Sequence, residues 1–174
     1  MFSDDFNVIN GDRASGKSIF LRELSRVLKN LNYKVCFIDT LGEAIQKEIL
    51  NIDLFKVLSE SDYNNKKTIQ VVKEITERDN YDFILVDDTD YLSESIIDDI
   101  KNIRVKKIIA CTVLDNTGLD KKDTHKICSI YNESKLKEGF LIEYNDKYLN
   151  IENLEEFYTQ SIRDEKLMKI LNEK

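Results

Sequence analysis

Eight consecutive residues constrain this chain more than anything else in it: Gly11, Asp12, Arg13, Ala14, Ser15, Gly16, Lys17 and Ser18. The pattern is a glycine, four free positions, then Gly-Lys-Ser. It stands between a short apolar-leaning run, Phe6 to Asn10, and a stretch with Ile19, Phe20, Leu21, Leu24, Val27, Leu28 and Leu31 at helical spacing. That order predicts a buried strand, a tight turn and an amphipathic helix from Lys17 to about Asn32. Glycines let such a turn wrap so that successive backbone N–H groups face an anion, and the helix start adds its positive end. Gly11 to Ile19 is therefore the expected phosphate-binding segment. Lys17 would bridge phosphate oxygens as a mobile point charge, and the Ser18 hydroxyl would ligate Mg²⁺.

A loop of this kind needs a carboxylate at the end of a neighbouring strand to hold the metal, usually through water. The most apolar run of the chain, Phe83 to Val86 within YDFILVDDTD, stops at Asp87 and Asp88. An uninterrupted run of that type suits a strand covered on both faces of a parallel sheet. Asp87 is the expected second metal ligand. Asp88 is either a general base orienting an attacking water or a solvated loop carboxylate. Thr112, ending the IIACT run, is a candidate γ-phosphate sensor, although hydroxyls at strand ends are common without such a role.

The remaining pattern alternates strand and helix signals. KVCFID (Lys34 to Asp39) reads as the second strand, Leu41 to Leu50 as a short helix and Leu54 to Leu58 as a third strand. Asn65 to Arg78 reads as a helix, Ser93 to Ile103 as another with Ser93 as its cap, and Lys107 to Val113 as a further central strand. Leu114 to Lys126 is polar, carries Gly118 and reads as a mobile loop. Ile127 to Tyr131 and Phe140 to Tyr144 flank a turn expected around Lys137 to Gly139, and Tyr148 to Ile151 extends that hairpin. From Glu152 onward the spacing is helical, with the chain's own core as its expected docking surface. The expectation is one α/β unit over residues 1–152 and a C-terminal helix over 153–174, its sheet mainly parallel and flanked by helices.

Composition narrows the partners. The 174 residues carry a net charge of −7, which works against strong nucleic-acid binding by a lone monomer but leaves room for a local basic patch or a pore built by several copies. No apolar run approaches the roughly 20 residues of a membrane span, and the start, MFSDDFN, is acidic where a secretory leader is basic. A soluble cytoplasmic protein without membrane contact is expected. The lack of proline and the many Lys, Asn and Ile residues suggest an AT-rich genome, hence a phage or viral protein in a host cytoplasm. Cys36, Cys111 and Cys128 lack metal-binding spacing and two sit in apolar runs, and His125 has no second imidazole nearby, so zinc is not expected.

Taken together, the chain resembles the RecA-like P-loop ATPases, the group of the recombinases and the DnaB-type replicative helicases. KVCFIDTLGEAI looks like the second strand and following turn of that group. The gap to FILVDD is similar, and so is a closing β-hairpin, here ICSIYN and FLIEYN. The resemblance covers roughly Phe6 to Ile151 and implies a P-loop NTPase fold, ATP with Mg²⁺, and work on DNA in recombination, repair, replication or packaging. It further implies a homo-oligomer in which ATP lies between subunits and a basic finger, here Arg104, Lys106 or Lys107, completes the neighbour's site. DNA contact would run through that assembly. One departure matters: where the recombinases carry a catalytic glutamate two residues beyond the FID aspartate, this chain has Leu41. Glu43 is near but out of register, so Glu43 or Asp88 takes the base role, or hydrolysis is slow or absent.

Two other readings stand beside this one. A nucleotide or small-molecule kinase shares the phosphate loop but needs lid arginines, and Leu114 to Lys126 has none. A nucleotide-gated assembly protein with little turnover fits Leu41 and an acidic surface suited to a protein partner. GTP is disfavoured because LDNTGLD has the wrong order for a guanine-reading segment.

Overall fold

The computed structural model describes residues 6–40, 53–55, 80–92, 94–111, 124–131, 137–144, 147–160 and 163. The strands are β1 (Phe6–Asn10), β2 (Val35–Asp39), β3 (Asp53–Phe55), β4 (Phe83–Asp87), β5 (Lys106–Cys111), β6 (Thr124–Tyr131), β7 (Lys137–Tyr144) and β8 (Lys147–Ile151). The helices are α1 (Lys17–Asn30), α2 (Glu94–Lys101) and α3 (residues 154–160), with a 3₁₀ turn at Thr89–Tyr91. The expected helices at 41–50 and 65–78 lie outside the described residues, as does Ser93.

All eight strands form one sheet in the order β3-β2-β4-β5-β1-β6-β7-β8. Pairing is parallel from β3 through β6 and antiparallel for β6–β7 and β7–β8. Strand residues alternate between two apolar clusters, as the period of two requires. Ile9, Phe37, Phe83 and Leu85 face α1, where Phe20, Leu21, Leu24 and Leu28 meet them. Val8, Cys36, Ile38, Ile84 and Val86 face α2, meeting Ile96, Ile97 and Ile100. With both faces covered, β2 and β4 are buried at every position, which explains the apolar sequence that leads up to Asp39 and Asp87.

The ends of the helices follow from local chemistry. Asn32, at φ 64°, lets α1 close with Tyr33 N–H bonded to the Leu28 carbonyl at 3.0 Å. The Asn153 side chain caps α3 by accepting from the Glu155 and Glu156 N–H groups, each at 3.1 Å. Leu154 and Tyr158 of α3 join the same core as α1, so the described part of this helix packs on its own sheet.

Three details differ from the sequence reading. Thr124 to Lys126, expected in a loop, belong to β6 and pair in parallel with Val8, Ile9 and Asn10 of β1. Their polar sequence hides the strand because the register to β1, rather than local apolarity, sets it. Lys137 to Gly139, expected to turn, belong to β7. Gly139 is required there because a Cβ would collide with the Ile151 backbone of β8, so its signal is close approach and not a bend. Helix α2 also ends at Lys101 rather than Ile103.

Candidate functional site

The phosphate loop leaves β1 at Asn10, whose side chain accepts from the Gly11 N–H at 2.7 Å. A turn closed by Ser15 N–H to the Asp12 carbonyl, 3.0 Å, brings the chain to Gly16. Gly16 stands at the helix N-cap with φ 100°, a conformation that disfavours any side chain, and Ala14 is also left-handed at φ 63°. Helix α1 has no side-chain cap and no acidic residue in its first turn, so its positive end and first N–H groups are left to the loop mouth. Asp12, Arg13 and Ala14 are exposed; Gly11 is buried, Ser15, Ser18 and Ile19 are half-buried, and Ile19 leans on the core.

Lys17 is buried, its ammonium donating to the Gly11 carbonyl at 2.8 Å and the Asp12 carbonyl at 2.9 Å. The loop thus holds its own cation over its mouth. The Ser15 hydroxyl oxygen is buried with no hydrogen-bond partner among the described residues, which suits a loop built to receive a polar ligand.

The structure brings the two sequence-assigned metal groups together across 69 residues: the Ser18 hydroxyl donates to Asp87 Oδ1 at 3.0 Å. Asp87 ends β4 beside Asp39, which ends β2 in register, and each is 1% exposed. Asp88, half-buried at φ 51°, donates its N–H to Asp87 Oδ1 at 3.1 Å. The Thr40 hydroxyl reaches the carbonyls of Asp87 and Asp88 at 3.0 and 3.1 Å and fixes the end of β4. Burial pushes the Asp87 carboxyl up to about 7. The Asp88 carboxylate adds to the rise, the Ser18 hydrogen bond and the Arg22 guanidinium oppose it, and Asp39 raises it further.

Arg22, Asp39 and Thr40 were not singled out as site residues from sequence. Ser18, Arg22 and Ser25 recur at helical spacing on α1, a pattern that reads as a solvated stripe, but the fold buries Arg22 and Ser25. Glu43, Leu41 and Thr112 lie outside the described residues. Of the finger candidates, Lys107 is buried, with its ammonium donating to the Ile103 carbonyl, and is not available to a neighbour. Arg104 is exposed and Lys106 is half-buried with its ammonium 5.7 Å from the Phe83 ring centroid, both where β5 begins, at the edge of the sheet opposite the loop.

The donor set fits Mg²⁺ bound with a nucleotide. One hydroxyl and one strand-end carboxylate suit a cation that keeps several waters and takes further oxygens from phosphates. Among the described residues no group of three or more His, Cys, Asp or Glu is arranged to hold a metal ion by itself. Nor is any described helix long and apolar enough to cross a membrane.

No protein-family model and no curated protein matches the chain. Solved structures do. The genome packaging NTPase B204 from Sulfolobus turreted icosahedral virus 2, solved in complex with sulfate, superposes with a TM-score of 0.56 at 16% identity. The match covers 87% of this chain and 97% of that one. The flagellar accessory protein FlaH from Methanocaldococcus jannaschii matches with a TM-score of 0.49 at 18% identity, covering 80% of this chain and 78% of that one. The likeness to the packaging NTPase, with the loop between β1 and α1, gives this chain the P-loop NTPase fold.

Proposed function

We propose that this chain binds ATP with Mg²⁺ at the Gly11–Ile19 loop and hydrolyses it, as a RecA-like ATPase serving DNA work. The observation that carries the reading is the Ser18–Asp87 hydrogen bond, which joins the start of α1 to the end of β4 beside a buried Lys17. Lys17 would exchange its loop carbonyls for phosphate oxygens, and the loop and α1 N–H groups would cradle the β-phosphate. Ser18 and Asp87 would hold Mg²⁺, which when bound neutralises charge developing on the phosphates. Asp88, or Glu43, is the proposed group that orients the attacking water.

Among DNA processes, packaging is the one supported by the fold neighbour's own description. With a net charge of −7, DNA contact is assigned to a homo-oligomer rather than to a single chain, with Arg104 or Lys106 as the proposed finger toward a neighbouring copy.

The test is phosphate release from Mg-ATP, alone and with single- or double-stranded DNA. DNA-stimulated release supports the reading. Phosphoryl transfer to a nucleoside monophosphate would replace it with a kinase, and tight binding without turnover with an assembly factor. No ATP binding at all would remove the site assignment.

A further inference from the structure

Two buried carboxylates at adjacent strand ends, Asp39 and Asp87, with Asp88 next along the chain, form a concentration of like charge that low-dielectric surroundings make costly. The protein answers it with a cation of its own. Arg22 has a side chain only 7% exposed, and its Nη2 lies 3.9 Å from Asp87 Oδ2, the oxygen that Ser18 does not use. Helix spacing puts it there: Arg22 is one turn beyond Ser18, and its backbone carbonyl accepts from the Ser25 hydroxyl at 2.6 Å. The loop itself does not need this cation, since its carbonyls are met by Lys17.

We propose that Arg22 is the built-in counter-cation of the Asp39–Asp87–Asp88 cluster, letting the chain fold without metal and making metal retention conditional on nucleotide phosphates. A fixed positive charge beside Asp87 repels a second cation approaching the same carboxylates. The negative charge of a bound triphosphate tips that balance toward the metal. This second half rests on the nucleotide-site reading above; the charge compensation does not.

The experiment compares the full chain with Arg22→Gln and Arg22→Lys, without nucleotide and in one buffer. Mn²⁺ is the probe, its free fraction read by electron paramagnetic resonance and its effect on the melting temperature followed in parallel. The expected result is that Arg22→Gln binds Mn²⁺ roughly ten-fold more tightly than the unmodified chain and melts higher when Mn²⁺ is added. Arg22→Lys, which keeps the charge, stays close to the unmodified chain. Dependence of Arg22→Gln folding on Mn²⁺ supports the proposal equally. Equal Mn²⁺ affinity in all three proteins overturns it, as does Arg22→Lys matching Arg22→Gln, or a loss of folding that Mn²⁺ does not reverse. Labelled ATP binding to the unmodified chain in a chelator is measured separately. Its absence removes the nucleotide reading while the Mn²⁺ comparison still decides the role of Arg22.

Discussion

At the carboxyl ends of β1, β2 and β4 the chain buries Lys17, Arg22, Asp39, Thr40 and Asp87, whereas the β7–β8 ribbon of the same sheet leaves Leu141, Tyr148 and Leu149 at 37%, 66% and 39% exposure. The first region takes charge out of water, which costs stability unless every group is met. The second leaves apolar side chains partly in water, which is ordinary for a protein surface and costs little. The contrast separates what a sheet needs in order to fold from what this one carries for chemistry. Buried charge with a displaced carboxyl marks the proposed site. The ribbon's outer face, by contrast, tolerates whatever its inner face permits.

That inner face gives the largest expected effect. Phe140 is 1% exposed and meets the Phe20 ring edge-on at 5.0 Å, so Phe140→Ala should cost about 3–5 kcal/mol in urea unfolding. A cost near zero would show that the whole ribbon, not only its outer face, is peripheral.

The charged end should show itself in pH dependence. Asp87 titrates at about 7 when folded against an ordinary 3.8, so the folded state holds a proton that the unfolded state has released. Its contribution to stability is full below about 4 and is lost as pH rises to about 7, on the order of a few kcal/mol. Asp87→Asn should flatten that decline in urea titrations, and an unchanged slope would place the displaced proton elsewhere.

Lys17→Ala should weaken ATP binding roughly 100-fold by calorimetry, the size expected for lost charge-assisted hydrogen bonds. Unchanged affinity would remove the loop assignment. The smallest effect belongs to the ribbon's solvent face: Tyr148→Ser should stay within about 0.5 kcal/mol of the parent in stability and leave ATP affinity untouched. A larger loss there would make the exposed ribbon face part of the core.

Much of this was readable in residue order. The Gly-x-x-x-x-Gly-Lys-Ser run and the abrupt stop of FILV at Asp87 are local signals, and the structure brings both to one edge of the sheet. Thr124 to Lys126 were not readable as strand, because their pairing to β1 is set by a partner more than 100 residues away. Gly139 looked like a turn because sequence does not distinguish a glycine that bends from one that lets the Ile151 backbone approach. Arg22 was hidden for a related reason: an arginine on an amphipathic helix reads as solvated until the fold places Asp87 against it. Lys107 misled in the opposite sense, a basic residue at a strand start that the fold buries.

If the loop and the end of β4 form one nucleotide–metal site, a double-mutant cycle in ATP binding should show it. Binding is measured with Mg²⁺ and with a chelator for the unmodified chain, Ser18→Ala, Asp87→Asn and the double variant. Mg²⁺ should tighten binding to the unmodified chain, each single change should remove most of that gain, and the double change should remove little more. Mg²⁺-independent binding in the unmodified chain, or two losses that simply add, would contradict it.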